Sequence, residues 1–572
     1  MKKSKAIFVA VILLLAAVFA AACGDTDDNT VSAALSYYST TTFPAGQSAT
    51  DNYWTQAIES ELGFKMQYKY ALTNTQYTTK IDADIASGKT PDMYMVDVSQ
   101  IPTLIRANMI HDDLSEVFDT HASPLTKQIM GWNGSVENSP NFQICSDGGK
   151  LKGLPWVESS TDTGYSLLLR KDWLDDLGLD VPKTIANLEH VLIKFNSEKG
   201  AKGLGLTEDI IYSNAGSAGP LFNAFGAYPQ IWVEKPDGSI EYGFFQEEMT
   251  DALSLLRNWY SRGLIYQQFA VSDLETVGSR VASGEIGAWI GVMSLPLHKM
   301  NSLVANDTTG KADWISVPVP GRDGDTPAKV TRSSSIFRFH VVKKGYKYPE
   351  RLVQLINLFV DKMWGENAEF TKFNSIANAF PFQVYPATKN LDAYKNVTAA
   401  IDADRGTDWW NSLGTGKDIP AYTGQQPAPA YYGLNSENQY YYAMIRDYLA
   451  NGKDGDARNW GYTRIFYKYA DPNGAEMAAG GIGFDCTQSV IEYYEDNGLY
   501  VMEKFRRYDT PSLSRNRDTI ETTISILIKN IITAAPGYTV DKYMVEVELL
   551  KSGAAKDVLK EVNEAYRAMS GN

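Results

Sequence analysis

Residues 33–96 open with Ala33-Ala34-Leu35-Ser36-Tyr37-Tyr38, pass through Lys65-Met66-Gln67-Tyr68-Lys69-Tyr70 and close on Pro91-Asp92-Met93-Tyr94-Met95-Val96. Each of these runs is short, apolar or aromatic, and reads as a strand. Between them, 51–62 and 75–87 have helical spacing, and Gly63 and Gly88 follow as stops. Glycine is the residue that takes the left-handed conformation past a helix end without penalty. Strands alternating with helices predict right-handed parallel crossovers, hence an α/β chain. Ligands in such sheets gather beyond the carboxyl ends of the strands. That rule selects Tyr37, Tyr38 and Ser39 after the first strand, and Asp97, Ser99 and Gln100 after the third.

Upstream of this stretch, Lys2, Lys3 and Lys5 precede an uncharged apolar run from Ala6 to Ala22 that ends Ala20-Ala21-Ala22-Cys23-Gly24. A basic start, an apolar middle and small residues before the cut make a secretory signal. Small residues directly before a cysteine resemble the lipobox of bacterial lipoproteins, which makes Cys23 the expected lipid-attachment residue and places the body on the outer face of the cell membrane. Two or three acyl chains hold a protein there far more firmly than one. The polar run Gly24-Asp25-Thr26-Asp27-Asp28-Asn29-Thr30 then reads as a tether.

The whole chain has 572 residues, with 53 basic against 68 acidic side chains and a formal charge of −15. Without 1–22 the balance becomes −18, because three lysines and no acid leave. Such a field repels phosphate backbones, so nucleic acid is excluded as a partner. A hydrophobic fraction of 44% with 21% charged residues is that of a folded body of several domains. Cys145 and Cys486 are too few and too distant to form a disulfide framework, and two buried free thiols are expected.

Further along stand Gly153-Leu154-Pro155-Trp156, Tyr165 to Leu169, Arg170-Lys171-Asp172-Trp173-Leu174-Asp175-Asp176-Leu177-Gly178-Leu179 and Val181-Pro182-Lys183-Thr184. Tyr242-Gly243-Phe244, Trp259 to Ile265, Gly284 to Gly291, Pro320-Gly321-Arg322-Asp323-Gly324, Tyr348-Pro349-Glu350 and Glu561 to Tyr566 follow in order. Together they resemble the extracellular solute-binding proteins of the maltose-binding type, and within them the LipO-like lipoprotein group. The resemblance implies an α/β, two-lobe periplasmic-binding-protein-like fold of type II, each lobe a mainly parallel sheet flanked by helices and joined by a hinge. It also implies ABC permease subunits as partners. On this reading 1–22 is the signal peptide and 23–32 the tether. Residues 33–160 begin lobe 1, 161–320 begin lobe 2, 321–400 return to lobe 1, and 401–572 complete lobe 2 with C-terminal helices. Chain crossings are expected at 156–165 and 318–335. The acidic calcium loop of some relatives is missing, since Asn196-Ser197-Glu198-Lys199-Gly200 cannot replace it.

The chain carries 12 Trp, 34 Tyr and 22 Phe. Aromatic faces suit the C–H faces of sugars while polar groups take the hydroxyls, so a neutral oligosaccharide is the expected ligand. Trp54, Trp173 and Trp259 sit at helical spacing and are expected in the core. Tyr37, Tyr38, Trp156, Trp289, Trp409 and Trp410 lie at strand ends or in loops and are candidate ligand contacts, with Asp97, Glu158 and Arg332 as charged hydrogen-bonding partners. An acidic sugar would demand several convergent cations, and only Arg332 and Arg338 suggest themselves. The five histidines have no metal-ligand spacing, and neither a nucleophile elbow nor a phosphate loop occurs. No metal or cofactor is expected, and a monomeric, non-enzymatic receptor is the first reading. Two alternatives remain: a glycoside hydrolase, which needs only a pair of carboxylates, and a SusD-like glycan-binding lipoprotein, against which the strand runs speak.

Overall fold

The computed structural model describes residues 28–39, 41–158, 163–297, 299–324, 326–332, 336, 338–366, 368–404, 434–452, 456–467 and 486–570. They divide into two compact units, one made of the chain up to Tyr94 with 378–381, the other of 95–377 and 382–572. Cys23, Trp409 and Trp410, the signal segment and most of the turn 158–164 lie outside the described residues.

In the first unit, β1 (Thr30–Tyr37) pairs in parallel with β2 (Lys65–Thr73) from Thr30↔Lys65 to Tyr37↔Thr73. β3 (Met93–Asp97) joins the other side of β1 through Ala33↔Met93, also in parallel. The helices between them stop at the expected glycines, Gly63 at φ 75° and Gly88 at φ 67°. Asn52 starts the first helix with a reciprocal capping box, its side chain accepting from Trp54 and Thr55 N–H while Thr55 Oγ1 accepts from Asn52 N–H. Trp54 is wholly buried against Phe380, ring centroids 4.7 Å apart. β1 begins at Thr30 and Val31 is already core, so the tether expected to run to residue 32 is shorter at that end.

The second unit holds β4 (Leu154–Pro155), β5 (Tyr165–Arg170), β6 (Leu204–Gly205), β7 (Trp232–Glu234), β8 (Ile240–Tyr242), β9 (Ala288–Val292), β10 (Trp314–Val317), β11 (Val330–Arg332), β12 (Arg338–Val342) and β13 (Tyr500–Met502). Its four-stranded sheet has the order β10-β5-β9-β6. Here the expectation of mainly parallel sheets fails, because β5 runs antiparallel to both β10 and β9 and only β9 and β6 are parallel. The crossover rule binds parallel neighbours in one sheet. The strand that follows β5 in sequence, β6, is not its neighbour in space. β4 pairs antiparallel with β12, and β11 pairs in parallel with β13. The chain thus leaves one sheet for another across 156–164, and moves on through β11 to β12 after β10.

All six residues of β5 are buried, and Trp173, Trp259 and Trp314 join it in one large core. The helices Lys389–Asp404, Ser436–Asn451 and Ala457–Phe466 build a smaller core around Tyr442, Ile445 and Phe466, while the helix Thr487–Asp496 sets Val490 and Tyr494 into the large core. Asp313, at the entry to β10, accepts from Arg464 Nη2 at 2.5 Å and from the Trp460 indole N–H at 3.0 Å, and so ties this helical layer to the sheet edge. Cys145 and Cys486 are buried free thiols, as expected. Among the described residues no helix is long and apolar enough to cross a membrane.

Candidate functional site

The β4–β12 register sets the site. Phe339 faces Pro155 and His340 faces Leu154, so the next pair outward is Arg338 with Trp156, whose N–H donates to the Arg338 carbonyl at 3.0 Å. Side chains two apart on a strand share a face, and Arg338 and His340 therefore both flank Trp156. The indole stacks on the His340 ring at 5.5 Å and 30°, with the Arg338 guanidinium 5.6 Å from its centre. Gly153 permits this approach, since a Cβ there would sit 3.0 Å from Val341 Cγ1 and 3.1 Å from the His340 carbonyl.

His340 is fully buried, and its Nε2 lies 3.0 Å from the Gln383 carbonyl. A carbonyl only accepts, so Nε2 carries the proton. Burial pulls the imidazole down to about 4, with the nearby Arg338 charge adding to the effect. The support beneath Trp156 is neutral at ordinary pH.

Arg338 lies between two carboxylates. Its Nε is 3.4 Å from Asp97 Oδ1, at the end of β3, and its charge acts on Glu158. Burial pushes the Glu158 carboxyl up, while Arg338 and the Trp156 indole N–H pull it back. A second arrangement of the same kind combines β11, β13 and the helix Thr487–Asp496. Arg332 forms an ion pair with Glu495, and its guanidinium sits 5.2 Å over the Tyr500 ring. The pairing Val330↔Tyr500 to Arg332↔Met502 brings Arg332 and Tyr500 onto adjacent strands.

Beyond β13, Glu503 donates its N–H to the Arg332 carbonyl and accepts at Oε1 from Trp232 N–H at 2.9 Å. Burial pushes this carboxyl up to about 8. The chain then reaches Asp509, which binds Arg517 Nε at 3.0 Å and donates its N–H to the Val98 carbonyl at 3.3 Å. Ser514 Oγ donates to the Ser99 carbonyl at 2.7 Å. Within the second unit the start of the Pro511–Ile532 helix thus leans on the loop that follows Asp97.

Of the sequence candidates, Asp97, Trp156 and Glu158 come together around Arg338, and Arg332 stands with Glu495 and Tyr500. Tyr37 and Tyr38 belong to the first unit, Tyr37 edge-on to Phe43 at 6.3 Å and Tyr38 52% exposed. Trp289 is a correction. It is 1% exposed, paired with Leu168 in mid-sheet, and so close to Gly205 that a Cβ there would lie 3.1 Å from its ring. It is a core residue, not a ligand contact. The residues 196–200 that cannot form a calcium loop are the end and stop of the helix Ile185–Lys199, with Gly200 at φ 68°. His340, Glu495 and Tyr500 were not anticipated. The readable signal for the last was the stop at Gly498 followed by the run Leu499-Tyr500-Val501-Met502.

Residues 54–315 match the family described as bacterial extracellular solute-binding protein. Lipoprotein LipO of Bacillus subtilis is 27% identical over 221 residues, which is 37% of this chain and 42% of that protein. The polygalacturonan/rhamnogalacturonan-binding protein YtcQ of Bacillus subtilis is 28% identical over 258 residues, 43% of this chain and 47% of that one. The chain therefore spans less than half the length of the curated relatives it matches. The solved structure of the Streptococcus pneumoniae ABC-transporter substrate-binding protein FusA in complex with kestose superposes with a TM-score of 0.58 at 15% identity, covering 95% of this chain and all of that one. At that identity the likeness is one of fold, and it places this chain among the type II periplasmic solute-binding folds.

Proposed function

From the match of residues 54–315 to the bacterial extracellular solute-binding family, we propose that this protein is a lipid-anchored extracellular receptor that binds an oligosaccharide and delivers it unaltered to ABC permease subunits. The observation that carries the reading is the grouping of Trp156, Arg338, Asp97 and Glu158, a supported aromatic ring beside charged hydrogen-bonding groups. A sugar offers a flat C–H face to the first and a rim of hydroxyls to the second. The ligands for which the relatives are named, polygalacturonan for YtcQ and kestose for FusA, support a saccharide and span acidic and neutral ones. Cys23 as the lipid-bearing residue is supported by the lipoprotein LipO among the relatives. Delivery without chemistry is the reading the family supports, since its members are named for binding.

Calorimetric titration of the purified protein with a panel of neutral and uronic oligosaccharides tests this, with mass analysis of the recovered sugar. Binding near micromolar, about −8 kcal/mol, with the sugar returned intact is the expected result. Shortened sugar would replace the receptor by a glycoside hydrolase, and silence across the panel would remove the saccharide.

A further inference from the structure

Two groupings of one kind, a carboxylate, a guanidinium and an aromatic ring, involve neighbouring parts of the chain: Asp97, Arg338 and Trp156 in one, Glu495, Arg332 and Tyr500 in the other. In each, a guanidinium is placed over an aromatic ring and is held by a carboxylate of the chain itself. Arg332 and Arg338 are six positions apart in the chain. Neither pair is an open surface ion pair, the side chains being 14% and 32% exposed for Arg332 and Glu495 and 24% and 38% for Arg338 and Asp97.

We propose that Glu495 and Asp97 are specificity determinants which, by compensating Arg332 and Arg338 against their aromatic rings, make the site accept neutral saccharides and reject uronic ones. The inference rests on the carbohydrate-receptor reading and deepens it. An unpaired guanidinium recognises a carboxylate through two parallel charge-assisted hydrogen bonds. Here each guanidinium already has an internal carboxylate as its counter-charge, so an incoming uronate would have to compete with that carboxylate for the same positive group. Around Arg338 the balance is still less favourable to an anion, because Glu158 is a second acid beside the one guanidinium. A sugar hydroxyl, by contrast, brings no charge to be compensated. The aromatic rings supply the stacking face that both classes of sugar share, so the carboxylates alone decide between them.

The test compares a neutral trisaccharide with trigalacturonate on the full chain, wild type against Glu495→Gln and, separately, Asp97→Asn. Wild type is expected to favour the neutral sugar by at least about tenfold. Each variant should narrow that ratio by about tenfold, through tighter trigalacturonate binding that weakens as salt rises. Two independent variants guard against one failing to fold, and melting curves identify such a failure. Discrimination unchanged in a folded variant, or a wild type that prefers trigalacturonate, overturns the inference and leaves the receptor standing. A wild type that binds no saccharide overturns the receptor reading itself.

Discussion

Trp156 is the residue on which a stacking site depends, because its ring is held by His340 beneath and Arg338 beside it. Trp156→Ala should weaken saccharide binding by about 1 to 3 kcal/mol, the range of a central aromatic contact, with the melting temperature of the free protein little changed. Equal affinity in the variant would move the site elsewhere. The titrating residues make a second prediction. The His340 imidazole, held at about 4 against an ordinary 6.5, favours the fold in its neutral form. As pH falls from 6.5 to 4 the unfolded chain takes up this proton first, and stability drains by up to about 3 kcal/mol. Glu503 has the opposite slope. Its carboxyl, pushed to about 8 against an ordinary 4.5, favours the fold when protonated, so its contribution is full below 4.5 and is lost as pH rises through 8. Glu503→Gln should therefore raise the melting temperature at pH 8 and barely move it at pH 4. A lower melting temperature at pH 8 would mean that the ionised carboxylate stabilises the fold. His340→Asn should flatten the acid limb.

At the scale of elements, what could be read from the chain and what could not separate along sequence distance. β1, β2 and β3 were legible because apolar runs and glycine stops are local, and the stops at Gly63 and Gly88 fall where the left-handed turn is needed. Trp54, Trp173 and Trp259 were legible as core from helical spacing. Trp289 was not, because a tryptophan in a short strand looks the same whether the strand lies at an edge or between two neighbours. Glu495 reaches Arg332 across 163 residues, and no local pattern announces such a pair. The helical layer of 389–496 was likewise unread, and its attachment makes a prediction. Arg464 is 7% exposed and pairs with Asp313, which also accepts from the Trp460 N–H. Asp313→Ala removes the carboxylate that both donors share in a buried setting, a loss of about 3 to 5 kcal/mol. Hydrogen exchange should accelerate first in Ala457–Phe466 and its neighbours while β5 and β9 stay protected. Uniform acceleration would show that the layer and the sheet unfold together.

At the scale of the whole molecule, function on the reading above depends on where the body is held as well as on what it binds. The chain carries a formal charge of −15, and its acids outnumber its bases 68 to 53. Electrostatics therefore oppose rather than assist its retention at an anionic lipid surface, and on the proposed reading attachment comes from acyl chains on Cys23, each buried CH₂ contributing about 0.8 kcal/mol. Cys23→Ser should move the protein from the membrane fraction into the medium and out of the detergent phase on cloud-point separation. Its saccharide affinity in solution should stay unchanged, since every candidate ligand group, from Tyr37 onward, lies beyond the anchor residue. Uptake by whole cells should nevertheless fall, because a freely diffusing receptor loses the high local concentration at the permease that tethering provides. Retention of the Cys23→Ser protein at the membrane would assign the attachment to the uncut apolar run 6–22, and the body would then hang from a protein anchor rather than a lipid one.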